Sequence, residues 1–272
     1  MQIVKYPRTR HLEGSRLQAG DIADDKPLAE LAGMALVVEE KLDGANCALS
    51  FSPDGGVLLQ SRGHYLTGGG RERHFALLKT WAVTHMDRLW PVLGTRYVMY
   101  GEWLFAKHTV FYDRLAHYFY EFDVLDRSTG QFLSTPARKA LLTGLPIMPV
   151  PVIHAGPLDS VDQLEALIRP SLYRSTDWRA ALDRAAIASK SRPDMVARQT
   201  DASELAEGLY IKQEDDGVVQ QRFKFVRGDF LQTIQDSEGH WLDRPILANG
   251  LADGVDIFAP VLGVEGAYDD PC

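Results

Sequence analysis

Two turn signals, far apart in the chain, set the terms for any fold of this sequence. Pro53-Asp54-Gly55-Gly56 separates strand-like runs at 45–52 and 56–62, and Asp215-Asp216-Gly217 separates runs at 208–214 and 218–226. Asp and Gly accept the backbone angles of tight hairpins, so each pair of runs is predicted to fold back on itself. Residues 35–41 (ALVVEEK), 97–104 and 117–125 are rich in β-branched or aromatic residues and add further strands. Residues 71–89 place Phe75, Leu78, Ala82, Met86 and Leu89 at helical spacing. From about 136 to 205 the pattern is mostly helical (136–143, 160–168, 177–190), with a short strand near 150–154. Residues 245–272 carry little pattern and are expected to be irregular. The expectation is an α+β fold of mainly antiparallel sheets flanked by helices. Residues 1–272 are expected to form one domain, with 126–205 as a mostly helical insertion within it.

Composition narrows compartment and partner. The 272 residues, 45% of them hydrophobic, suffice for a sizeable core. No run approaches the ~18 apolar residues of a membrane span, and MQIVKYPRTR has no apolar signal core. The two cysteines, Cys47 and Cys272, make a disulfide framework unexpected and fit a reducing cytoplasm. A net charge of −8 argues against a broadly basic nucleic-acid footprint, while leaving room for a local basic groove.

Six short elements carry the chemistry. Lys41 stands in Glu40-Lys41-Leu42-Asp43-Gly44-Ala45-Asn46, which alone also suits a surface strand end and an Asp-Gly turn. Ser61-Arg62-Gly63, Tyr100-Gly101-Glu102-Trp103, Phe119-Tyr120-Glu121-Phe122-Asp123-Val124, Glu207-Gly208-Leu209-Tyr210-Ile211-Lys212 and Arg222-Phe223-Lys224-Phe225 follow in order. This series resembles motifs I, Ia, III, IIIa, IV and V of the covalent nucleotidyltransferases: DNA ligases, RNA ligases and capping enzymes. Asn46, Phe122-Asp123 and a short stretch after Lys224 place the resemblance nearest the ATP-dependent RNA ligases. DNA ligases and capping enzymes usually continue into an oligonucleotide-binding-fold (OB-fold) domain, for which little chain is left here. The resemblance implies the nucleotidyltransferase (ligase adenylation) fold.

It also implies roles. Lys41 is the nucleophile that takes AMP from ATP, forming lysyl-AMP. A free lysine, with a pKa near ~10.4, attacks only when that value falls, and nearby cations are expected to lower it. Lys212 and Lys224 are expected to clamp the α-phosphate as catalytic cations, alternatively standing as hairpin surface lysines. Arg222, in place of the lysine of many relatives, shares a strand face with Lys224. Glu207 and Glu102, with Asp123 in a less defined role, are expected to hold Mg²⁺ or Mn²⁺; Glu102 alternatively contacts the ribose. Arg62 resembles the arginine that holds ribose or phosphates, and the backbone at Glu40 resembles the position that meets the adenine amino edge. Asn46 serves the chemistry or caps a turn. Phe122 stacks on adenine or is a core aromatic, sharing a face with Tyr118 and Tyr120. Lys107-His108 with Tyr112, and Tyr6-Pro7-Arg8-Thr9-Arg10-His11, are weaker candidates for contact with phosphate or nucleic acid.

The implied reaction joins 5′-phosphate and 3′-hydroxyl RNA ends, in the setting of RNA repair. The acidic net charge adds the expectation of a partner protein that presents RNA or heals its ends. Two other readings stay open on sequence: a DNA ligase or capping-type guanylyltransferase on the same fold, and a non-catalytic RNA-end-binding protein.

Overall fold

Leu36 and Val38 alternate with Val37 and Glu39, and Leu209 and Ile211 alternate with Tyr210 and Lys212. A period of two gives a strand one apolar and one polar face. In the computed structural model, which describes residues 3–17, 25–230 and 245–260, these strands lie side by side with their apolar faces turned the same way.

The described strands are β1 (Arg10–Leu12), β2 (Asp25–Lys26), β3 (Leu36–Lys41), β4 (Ala45–Phe51), β5 (Val57–Ser61) and β6 (Tyr97–Trp103) in the first half. β7 (Phe119–Asp126), β8 (Gln131–Phe132), β9 (Met148–Pro149), β10 (Val152–Gly156), β11 (Gly208–Asp215) and β12 (Val218–Val226) follow. The helices are α1 (Ala76–Thr84), α2 (Met86–Leu93), α3 (Thr135–Leu142), α4 (Val161–Glu165), α5 (Trp178–Ala188) and α6 (Pro193–Arg198). One sheet runs β10-β3-β11-β12-β1-β2; the other runs β5-β4-β6-β7-β8, with β9 alongside β7. Pairing is antiparallel except where β1 meets β12 and β2, and where β9 meets β7. The expected α+β architecture of antiparallel sheets with helices outside is the one observed.

Each sheet buries its outer face in its own core. Leu36, Val38, Leu209, Ile211, Phe223 and Phe225 of the first sheet pack with Leu28, Leu31 and Leu164. Leu49, Phe51, Met99 and Trp103 of the second pack with Leu78, Trp81, Leu89 and Leu93 of α1 and α2. The inner faces meet around Tyr6, Ala48, Tyr100, Phe122 and Tyr210. Ser134 and Ser160 start α3 and α4 by accepting the amides of Ala137 (3.4 Å) and Gln163 (3.2 Å).

One expectation changes. The single helix at 71–89 is a 3-10 turn (Gly70–Phe75) and two helices that break at His85, though the apolar seam runs on through both. Residues 126–205 hold α3 to α6 and also β8, β9 and β10, which join both sheets. Tyr118 precedes β7, and β7 bulges opposite Tyr100 and Gly101. The bulge leaves Phe122 outside the ladder, and it packs against the cluster that holds Tyr118 and Tyr120 as well as against Tyr6. Residues 245–260 are irregular as expected, apart from isolated bridges at Ala248 and Leu251. Cys272 and the rest of 261–272 lie outside the described residues.

Candidate active site

Lys41 ends β3, directly opposite Gly208 on β11. That register sets Glu207, the residue before Gly208, beside it: Lys41 Nζ is 2.6 Å from Glu207 Oε1. The approach depends on glycine, because a Cβ at Gly208 would stand 2.0 Å from the Phe225 carbonyl oxygen. After Lys41 the chain turns, and Asp43 secures the turn. Its Oδ2 accepts the amides of Thr109 and Val110, both at 2.7 Å, and its own amide donates to the Tyr112 hydroxyl at 2.8 Å. The Gly44 amide donates to Glu102 Oε1 at 3.2 Å, and Asn46 lies opposite Glu102 in the β4–β6 ladder.

These groups line a cavity of about 1060 Å³. Its walls include Glu40, Lys41, Asn46, Arg62, Glu102, Phe122, Glu207 and Lys224, all singled out from sequence. Tyr6, Arg8, Thr9 and Arg10 form part of the wall, as β1 lies beside β12 with His11 level with Lys224. His108 also lines it, its Nδ1 3.8 Å from Asp43 Oδ1. Lys107 is not part of the cavity lining, and its ammonium donates to the carbonyls of His108 (2.9 Å) and Gln199 (3.0 Å). Tyr112 is buried beneath the Asp43 turn.

The electrostatics around Lys41 overturn one expectation. Burial works to lower the Lys41 ammonium, but the carboxylates of Glu207, Glu102 and Asp43 outweigh it and hold its pKa above the ordinary value. The expected cations are not what surrounds it. The carboxylates share the strain: burial pushes Glu102 up to about 8 and Glu207 up to about 7, against the pull of Lys41. Glu40 is pushed up to about 7 by burial, although Ser171 Oγ donates to it at 2.6 Å. Without ligand, Lys41 is an ammonium ion held in an anionic cage.

Lys212, Asp123 and Arg222 are not with the others. Lys212 pairs with Arg222 across the β11–β12 ladder, and its side chain is fully buried. Its ammonium meets Glu39 Oε2 at 3.0 Å, Asp123 Oδ1 at 3.4 Å and the carbonyl of Phe122, which the bulge leaves outside the ladder. The expected clamp of Lys212 with Lys224 is therefore not formed; Lys224 alone reaches the cavity. Asp123 accepts the Tyr6 hydroxyl and pairs with Lys212 and, at 3.5 Å, with Arg222 Nε. Two cations balance it in this buried layer, apart from the cavity that Glu207 and Glu102 line. Arg222 stacks 4.1 Å over Phe132 rather than lining the cavity. Arg138 of α3, which sequence reasoning missed, completes this layer. Its guanidinium pairs with Glu39 and, at 2.5 Å, with Glu121 Oε2, and all three side chains are at most 1% exposed. No motif marks Arg138, because its partners come from strands far away in sequence. Tyr210, also missed, lies within the quoted motif, two residues before Lys212 on the same strand face.

No group of three His, Cys, Asp or Glu side chains among the described residues is arranged to hold a metal ion. Glu207 Oε2 is nonetheless buried without a hydrogen-bond partner among the described residues. Such an orphan fits a cation bound through one or two carboxylates, waters and phosphate oxygens. No helix among the described residues is long and apolar enough to cross a membrane.

Comparison with known proteins adds the family. No curated protein sequence matches the chain. Among solved structures, Naegleria gruberi RNA ligase with PPi is similar over 87% of this chain and 64% of that one, at 18% identity and a TM-score of 0.53. A mutant of that ligase with AMP and Mn gives 84% and 62%, 18% identity and 0.53, and another with ATP and Mn gives 84% and 62%, 17% and 0.51. The chain thus spans less than two thirds of the length of these structures, and at such identities the likeness shows a shared fold. The model of the RNA ligase family matches residues 34–226. That match runs from the strand carrying Lys41 through the strand carrying Lys224 and takes in most of the sequence, and on it this chain belongs to the RNA ligase family.

Proposed function

We propose that the chain is an ATP-dependent RNA ligase that joins 5′-phosphate and 3′-hydroxyl RNA ends through lysyl-AMP on Lys41, acting in RNA repair in the cytoplasm. The observation that carries this reading is the Lys41 amine at the cavity wall, 2.6 Å from Glu207, with Glu102 and Lys224 lining the same cavity. The likeness to a ligase solved with ATP, AMP and PPi supports it.

In the first step the Lys41 lone pair attacks the α-phosphorus of ATP. A P–N bond forms, the bond between the α-phosphorus and the bridging oxygen breaks, and pyrophosphate leaves with that oxygen. Lys41 must first give up the proton its carboxylate neighbours hold on it; Glu207 Oε1 is the nearest acceptor. Lys224 is placed to offset charge on the phosphates, and Phe122, at the cavity wall, offers a face to the purine. Mg²⁺ or Mn²⁺, held by Glu207 and Glu102, would supply positive charge that offsets these carboxylates and the phosphates and so releases the lysine proton. AMP then passes to the RNA 5′-phosphate, and attack by the 3′-hydroxyl joins the strands and frees AMP.

Self-labelling tests the reading. With Mg²⁺ and ATP labelled at the α-phosphate, the protein is expected to acquire a covalent label that survives denaturation and is absent from Lys41→Ala. A protein that neither labels nor arrives adenylylated by mass spectrometry would refute it.

A further inference from the structure

The chain carries −8 overall, yet residues 169–199 contain seven basic and only three acidic side chains. Folding sorts these by position. Trp178, Leu182 and Ala186 form the inner seam of α5, packed against Phe111 and Leu247, with Ala181, Ala185 and Val196 beside them. The outward arc therefore carries the charges. Arg169, Arg179, Arg184, Lys190, Arg192 and Arg198 are all exposed, as are Asp177, Asp183 and Asp194. Arg179 and Arg192 are engaged with Glu204 and Asp194. No ion pair among the described residues takes up Arg169, Arg184 or Lys190, and Arg198 adds only a weak attraction to Asp194, which Arg192 already holds. Ile187 (67% exposed) and Met195 (45%) lie between them.

This face is joined to the cavity by a short, rigid path. Arg198 ends α6, and the carbonyl of the next residue, Gln199, accepts Lys107 Nζ at 3.0 Å. The Asp201 amide donates to the Thr109 carbonyl at 2.9 Å. Thr109 and Val110 are held by Asp43, two residues from Lys41, and His108 between them and Lys107 lines the cavity. A cationic surface fixed to the lip of a site is the arrangement that steers and holds a polyanion.

We infer that the outward face of α5 and α6 is the surface on which RNA lies, its backbone phosphates contacting Arg184, Lys190 and Arg198 while its end enters the cavity. This rests on the ligase reading for what happens at the end, but not for the binding itself. Phosphate contacts carry no base information, so the face is expected to hold RNA of any sequence.

The test is binding of a 5′-phosphorylated nicked RNA duplex by the full chain, without ATP, over a range of salt. Arg184→Glu/Lys190→Glu/Arg198→Glu is expected to bind at least tenfold more weakly at low salt. The log–log salt slope should become shallower by about 2 to 3, since each phosphate contact contributes roughly 0.9. The glutamine triple variant should show a smaller loss in the same direction and keeps the test valid if the glutamates disturb folding. Self-labelling with ATP should be unchanged in both, since none of the three residues lines the cavity. Unchanged RNA affinity, or weaker binding with an unchanged slope, would overturn the inference. Loss of self-labelling in the unaltered chain would instead strike the ligase reading and leave the binding result standing.

Discussion

At the scale of the residue, Lys41 is the most consequential group of the proposed reaction, and its neighbours would make it a poor nucleophile until something else arrives. Glu207, Glu102 and Asp43 hold its proton on. The prediction is a titration. Followed by NMR on ¹³C-methylated lysines in ligand-free protein, Lys41 should titrate above the ~10.4 of a free lysine. In Glu207→Gln its pKa should fall, because the nearest anion has gone. A Lys41 that titrates below the ordinary value would mean that burial outweighs the carboxylates and that the amine is primed without ligand. Sequence made the members of this site legible, since six short elements named most of its wall. It did not make their electrostatics legible. Which of Lys212 and Lys224 lines the cavity depends on a bulge in β7 and on three acids from other strands, and neither leaves a mark near the lysines.

At the scale of the element, the layer between the sheets holds six charged side chains in balance: Glu39, Glu121 and Asp123 against Arg138, Lys212 and Arg222. It fastens β3, which carries Lys41, to β7, which carries Phe122. Breaking a buried pair by removing one partner costs far more than the intact pair contributes, because a charge is left without compensation. Arg138→Met is therefore expected to lower the unfolding free energy by about 3–5 kcal/mol. Adding Glu39→Gln and Glu121→Gln should restore part of the loss. Urea denaturation measures both; a single variant within about 0.5 kcal/mol of the parent would show the guanidinium to be dispensable. The long strands and hairpin turns were legible because period-two alternation and Asp-Gly turns are local signals. β1 and β2 were not, being two or three residues long and held by partners more than ten positions away. The break at His85 was also hidden, since the apolar seam is continuous across it.

At the scale of the whole molecule, the buried acids set how stability depends on pH. Glu102 is held at about 8, and Glu40, Glu121 and Glu207 at about 7, all by burial first. Unfolded, such groups titrate near ~4.3. Between these values the folded chain binds more protons, so lowering the pH from 8 toward 5.5 should raise stability. His117 opposes this: burial lowers it to about 4, so the unfolded state binds the extra proton below about 6.5, the unfolded value. Burial lowers His74 and His85 as well, but the four acids, joined by the buried Glu39, outnumber these three histidines and leave the acidic direction in command. Melting temperature in ligand-free buffer should therefore rise on mild acidification, and Glu102→Gln/Glu207→Gln should flatten the trend. A melting temperature that falls steadily from pH 8 to 6 would contradict the burial of these acids. A last consequence follows from β1 lying against β12 and from the bond between the Tyr6 and Tyr210 hydroxyls, 204 positions apart. The segment carrying Tyr6 finds its seat only when β11 and β12, about 204 residues further along, have emerged. At 5–20 residues per second that is a wait of roughly 10 to 40 s. Until then one wall of the cavity is missing, so an incomplete nascent chain cannot close the site around a nucleotide.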